Sequence, residues 1–248
     1  MKTFYHPKHL LIFNRLAAIV ILAVACLPLN AFALFDACKD YFPSGNIPTT
    51  PQIGRDLCFN SFAVFYSPEH KKPIYVVEKL NRVSLESTHP KRSNQFYEEA
   101  RLSFRERSQL SDYRGSGYDR GHNAPAADMT NEQAMSQSFS LANMMPQAKL
   151  NNQGIWAKNV ERATRRYAIR ANGNIFVYTG SIGSIGSIGK NKITIPSHLF
   201  KLVFDQDKNK AWAYWVENSD RATMGPPIDY EELINRTGID FQLGNPAK

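Results

Sequence analysis

The chain has 248 residues, 43% of them hydrophobic and 12% aromatic, with a formal net charge of +8. That composition supports a substantial core and excludes global disorder, and the length suits one large domain or two small ones. The basic excess suits an anionic partner such as nucleic acid without requiring one.

The first 33 residues stand apart. Lys2, Lys8 and Arg15 precede the apolar run "LAAIVILAVACL", Pro28 follows it, and Ala31-Phe32-Ala33 has the small-x-small form of a cleavage site. This order predicts a secretory signal peptide over residues 1–33, and a periplasmic or secreted protein. Two alternatives stay open. One is a retained anchor, although Pro28 and Asn30 interrupt the run before it reaches spanning length, so no stable membrane insertion is expected. The other is a lipidated Cys26. Removing the leader would leave a net charge of +5.

Cys38 and Cys58 then form an even pair, predicted to make a disulfide in an oxidising compartment. It would pin an N-terminal arm, residues 34–60, whose prolines and weak periodicity read as loop. Residues 61–248 read as one domain. Phe62–Ser67 and Pro73–Leu80, rich in β-branched and aromatic residues, read as strands joined by a turn at "PEHKK". Residues 84–116 read as a long polar loop with at most a short helix. A helix start is read at Thr130 and a turn at Pro146.

Over 151–170 the rhythm predicts an amphipathic helix. Ile155, Trp156, Val160, Ala163 and Tyr167 fall on its inner side; Lys158, Glu161, Arg162, Arg165 and Arg166 fall on its outer side. Four strands follow, "NIFVYTG", "KITIP", "HLFKLVFD" and "AWAYWVE", and then a short helix at Tyr230–Asn235. Strands met after a helix predict an α+β fold with a mainly antiparallel sheet. The tandem "GSIGSIGSIG" reads as a flexible surface loop that grew by duplication, with no part in catalysis.

Outside the leader there are four histidines, His70, His89, His122 and His198, with no metal-binding spacing and no Cys/His cluster. A zinc site is therefore disfavoured, and a metal would be a hard cation held by oxygen. The stretch "GYDRGHNAPAADM", 117–129, is more suggestive. If it is extended, Arg120 and His122 face the same way. A guanidinium for phosphate oxygens beside an imidazole that takes a proton from water suits a phosphodiester. Gly121 between them would let a ligand approach the backbone. On these residues alone an ordinary charged turn stays an alternative. Asn143, Gln147, Asn151, Asn152 and Glu161 cluster downstream, a pattern that by itself can mean only caps and turns.

Taken together, "DRGHNAPAADM" (119–129), "SLANMMPQ" (140–147), "NNQGIW" (151–156) and the helix after them resemble, in order and spacing, the DNA/RNA non-specific endonucleases, the Serratia-type secreted nucleases. The likeness runs over about residues 58–241. It implies an α+β fold with a His-Me finger (ββα-metal) core on a mainly antiparallel sheet. It also implies Mg²⁺-dependent, sequence-blind hydrolysis of DNA and RNA, with Mn²⁺ as an alternative ion. Residue by residue, His122 is similar to the general base and Asn152 to the sole protein ligand of the metal. Asn143 is similar to the asparagine that supports the site, and Arg120 to the arginine on the phosphate. Asp119 would orient the loop.

Two positions depart from the pattern. The family's glutamate stands four residues after the tryptophan, where this chain has Val160. Either the helix is shifted by one residue, or Glu161 is not the equivalent group. A family arginine on an earlier strand has no match in "PIYVVEKL". Lys158, Arg162, Arg165, Arg166 and the basic residues of 91–107 would supply the groove for the polyanion. An inactive nucleic-acid-binding or uptake protein of the same fold is the alternative to an enzyme, and the sequence sets no oligomeric state.

Overall fold

The computed structural model describes residues 1–3 and 34–247. Residues 4–33 of the predicted signal peptide, with the cleavage site and Cys26, lie outside the described residues. Among the described residues no helix is long and apolar enough to cross a membrane.

Among the described residues ten strands carry the fold: β1 (Arg55–Cys58), β2 (Phe62–Ser67), β3 (Lys72–Leu80), β4 (Tyr118–His122), β5 (Met144–Ala148), β6 (Ile175–Ile182), β7 (Gly186–Ile188), β8 (Ile193–Ile195), β9 (His198–Asp205) and β10 (Lys210–Glu217). Six of them form one sheet in the order β1-β2-β3-β6-β9-β10, every neighbouring pair antiparallel. β4 with β5, and β7 with β8, make two separate ribbons. The α-helices are α1 (Arg82–Leu85), α2 (Leu110–Tyr113), α3 (Glu132–Ser138), α4 (Arg162–Arg170) and α5 (Tyr230–Thr237). The expected α+β class with an antiparallel sheet is what forms.

The central strands are buried on both faces, so they read as continuous apolar runs rather than alternating ones. One face packs Phe65, Tyr75, Tyr178 and Phe200 against Phe35 and Phe42 of the N-terminal arm and Phe241 near the C-terminus. The arm is therefore part of the core, and its residues Arg55–Cys58 are the edge strand β1. Prolines hide this, because they suppress periodicity without preventing burial. The Cys38–Cys58 disulfide is present, with the Cα atoms 5.8 Å apart, and ties the arm to β1.

The opposite face carries Val64, Val76, Val177 and Val203. It also carries a buried polar row: Glu78 on β3, Thr179 on β6 and Lys201 on β9. The β4–β5 ribbon and the helix that follows lie over this face, and the candidate site forms there.

Several predicted elements shift. α3 is capped by Asn131, whose side chain accepts from the N–H of Ala134, so it begins after Thr130. Pro146 is not in a turn. It sits in β5 opposite Arg120, and a two-stranded ribbon leaves room for a residue with no N–H. The glycine-rich repeat is not a free loop either. It forms β7 and the turn into β8, and Ile188 is buried with Ile193, Tyr113 and Leu141. Asn191 in that turn donates to Asp112 through its backbone N–H at 3.1 Å and its Nδ2 at 2.8 Å. Ile188, in β7, is buried, while Ile185, at the bend before it, is 56% exposed.

Candidate active site

β4 presents two faces. Tyr118, Arg120 and His122 alternate on one; Asp119 and Gly121 lie on the other, opposite Gln147 and Met145 of β5. The strand is extended, as the Arg120/His122 argument requires. A hollow of about 380 Å³ opens at its end, lined by Arg92, Arg120, His122, Asn152, Glu161 and Phe96 among others.

His122 is 9% exposed and stands edge-on to Phe139, ring centroids 5.0 Å apart, with Phe96 at 5.8 Å. Its Nε2 makes no hydrogen bond within the described residues. Burial, and then the cations Arg92 and Arg120, pull its pKa down to about 3. At neutral pH the ring is therefore uncharged and able to accept a proton. Arg120 is held flat over Phe96, its Cζ 3.9 Å from the ring centroid.

The second half of the site comes from the helix after β5. Asn152 donates from Nδ2 to Asp119 Oδ2 at 2.9 Å, and Gln153 donates to the same oxygen at 2.8 Å. That bond fixes which end of the Asn152 amide faces Asp119. Asp119 thus joins β4 to the helix, in keeping with an orienting role.

Residues Asn151–Glu161 are wound with π pitch and run directly into α4. Trp156 and Val160 are fully buried under the helix with Met145 and Leu199. Asn152, Ala157 and Glu161 line the hollow, at spacings of five and then four. The wider turn lets Asn152, Ala157 and Glu161 share the hollow while Trp156 and Val160 stay together in the core. The outer-side expectation for Glu161 is therefore corrected: it is partly buried and faces the hollow, where burial pushes its carboxyl up against the pull of Lys201.

Arg165 is corrected in the same way. Instead of lying on the outer face, it bonds Asp128 at 2.9 Å, and only 21% of its side chain is exposed. Lys158, Arg162 and Arg166 are exposed as expected, four residues apart, and Arg170 continues the stripe.

The downstream amides divide. Asn143 is fully buried and does not line the hollow. Its Nδ2 donates to the carbonyls of Ala124 and Ser138, and its Oδ1 accepts from the N–H of Ala124, each at 2.9 Å. It staples the loop that follows His122. Gln147 donates to Asn151 at 2.8 Å, and Asn151 donates to the Glu217 carbonyl at 2.7 Å. The expected role for Gly121 also changes. A Cβ there would lie 2.7 Å from the Cβ of Gln147, so the missing side chain makes room for β5 rather than for a ligand.

Three contributors escaped the sequence. Arg92 and Phe96 enter from the long loop before β4, where nothing local marks them apart from their basic and aromatic neighbours. Lys201, in the middle of an apolar strand, is fully buried. Its Nζ donates to Thr179 Oγ1 at 2.5 Å and reaches the Asn123 carbonyl at 3.5 Å, beside His122. A lysine inside "HLFKLVFD" was the available signal, since burial of an ammonium demands partners.

For a metal, the donors lining the hollow are oxygens: the Asn152 and Gln153 amides and the Asp119 and Glu161 carboxylates, Asp119 already accepting from both amides. Among the described residues no group of three or more His, Cys, Asp or Glu is placed to hold an ion. So few oxygen donors in an open hollow fit a cation that keeps most of its water, as Mg²⁺ does.

Comparison with known proteins gives a consistent result. The family model described as DNA/RNA non-specific endonuclease matches residues 45–248. Mitochondrial endonuclease G of Bos taurus is 33% identical over 156 residues, 58% of this chain and 52% of that one. Nuclease C1 of Cunninghamella echinulata var. echinulata is 31% identical over 180 residues, 66% of this chain and 71% of that one. The chain thus spans about half the length of the endonuclease G relatives it matches. In fold it is similar to a chain of the EndoG/EndoGI complex, with a TM-score of 0.71 and 24% identity over 79% of this chain and 89% of that one.

Proposed function

Because the chain belongs to the DNA/RNA non-specific endonuclease family, we propose that it is an exported, Mg²⁺-dependent endonuclease that hydrolyses phosphodiester bonds of DNA and RNA without regard to sequence. The observation that carries the reading is the juxtaposition, around one hollow, of a neutral buried imidazole, an arginine pinned on an aromatic ring, and an asparagine tied to Asp119. Export rests on the basic, apolar and small-residue order of residues 1–33.

In this reading His122 is the general base. Its depressed pKa keeps it unprotonated at neutral pH, and it takes the proton of the water that attacks phosphorus. Arg120 holds the non-bridging oxygens of the phosphate. Asn152 would hold the cation through its amide oxygen, with Glu161 turned toward the water around it. Bound there, Mg²⁺ would supply charge neutralisation at the phosphate and the leaving oxygen. Asn143 and Lys201 act by positioning the loop that carries His122. Because every contact is to phosphate or its surroundings, nothing in the set reads base edges.

The test is digestion of plasmid and RNA by wild type and by His122→Ala, with Mg²⁺ and with chelator. We expect the variant to lose about 10²–10⁴-fold or more in rate while keeping its circular dichroism spectrum and its binding of DNA. A fully active His122→Ala protein would remove the general-base assignment. Wild type inert on both substrates with Mg²⁺ and Mn²⁺ would instead favour a binding or uptake protein.

A further inference from the structure

A second hollow, of about 640 Å³, opens beside the first. The two share Phe96, Asp119 and Arg120, so Arg120, stacked on Phe96, forms the partition between them. The outer walls are Leu110, Tyr113, Arg114 and Tyr118.

Three observations point to what fits there. First, Tyr118 occupies the same face of β4 as Arg120 and His122. Residues two apart on a strand are separated by roughly 6.5 Å. A chain that places a phosphate at Arg120 and His122 therefore continues past Arg120 toward Tyr118. Second, the walls combine aromatic and apolar surface with one polar group still available. Tyr113 is 6% exposed, and its hydroxyl makes no hydrogen bond within the described residues. Third, Arg114 is exposed at the rim, and with Arg120 it sets two cations against the one carboxylate in the lining, Asp119.

Flat apolar surface, a phenol donor and a rim cation are the complement of a nucleoside attached to a phosphate. We propose that this hollow is the subsite for the nucleoside flanking the scissile phosphate, with its base against Tyr118; this rests on the nuclease reading above. Stacking accepts any base, because each has a π face, so the subsite adds affinity without adding sequence preference. It also makes a nucleoside on that side part of what the enzyme recognises, beyond the phosphate and the metal.

The experiment compares two substrates: a short single-stranded oligonucleotide, and a strand of the same length built of abasic tetrahydrofuran residues, which keeps the phosphodiesters and carries no base. Wild type, Tyr118→Ala, Tyr118→Phe and Arg114→Gln are assayed on both, with thermal melts to confirm folding. On the oligonucleotide, Tyr118→Ala is expected to lower kcat/KM roughly 5- to 150-fold, the range measured for losing one base stack. Tyr118→Phe is expected to retain most of the rate. Arg114→Gln, at an exposed position that should not disturb folding, is expected to show a smaller loss on the oligonucleotide. Tyr118→Ala and Tyr118→Phe should both cut the abasic strand as wild type does. Equal losses of Tyr118→Ala on both strands, or no loss on either, would overturn the subsite. Wild type inert on both would overturn the nuclease reading itself.

Discussion

At the scale of single residues, the site sets opposing demands on the same few ångströms. His122 is buried between aromatic rings and faces two arginines, and it holds a pKa near 3 as a result. The unfolded chain binds that proton near pH 6.5. Between those values the unfolded state carries more protons than the folded one, so stability falls as the pH drops through the window. Glu78 works in the opposite sense, because burial and then Asp128 push its carboxyl well above the usual range. The difference between two proteins isolates the histidine. Urea unfolding of wild type and His122→Ala, both in chelator, should show wild type losing about 2 kcal/mol more than the variant between pH 7.5 and pH 5. Parallel pH profiles would mean that His122 is not held uncharged.

At the scale of elements, β4, β5 and the helix Asn151–Arg170 act as one unit laid on the sheet. Asn218, just after β10, anchors it there. Its Oδ1 accepts from the N–H of Ala148 at 2.8 Å, and its Nδ2 donates to the carbonyls of Pro146 and Pro196 at 3.0 and 2.9 Å. The tightest point is Gly121 against Gln147. Gly121→Ala forces the two strands apart and should destabilise the protein by about 1–3 kcal/mol, the usual cost of overpacking. A thermal melt checks this, and an unchanged Tm would show that Gln147 moves aside freely. The π pitch is the other decision taken at this scale. It keeps Trp156 and Val160 in the core while bringing Asn152 and Glu161 to the hollow together.

At the scale of the whole molecule, the sheet separates support from function. The arm, the disulfide and the C-terminal segment cover one face, and the site and its helix cover the other. Lys158, Arg162 and Arg166 stand exposed on the outer side of that helix. If they hold the polyanion, each contact contributes roughly one unit to the slope of log affinity against log salt. Binding of duplex DNA by His122→Ala protein across a KCl series should give a slope shallower by about three when all three are changed to Gln. An unchanged slope would move the groove elsewhere. Much of this was legible in the chain itself. "DRGH" alternates because a strand does, five of the six strands of the main sheet announce themselves by β-branched and aromatic runs while β1 hides in a proline-rich arm, and the Cys38–Cys58 pair follows from parity. Local sequence determines such features because strand alternation and side-chain chemistry need only near neighbours. What needed the tertiary structure was every contact between distant segments. Those contacts turned Glu161 inward and paired Arg165 with Asp128, and they brought Arg92 and Phe96 from a featureless loop to His122. They also folded the Ser-Ile-Gly repeat into a hairpin against Tyr113. Packing decided these, because a side chain's free energy depends on what fills the space around it, and those neighbours lie tens of residues away.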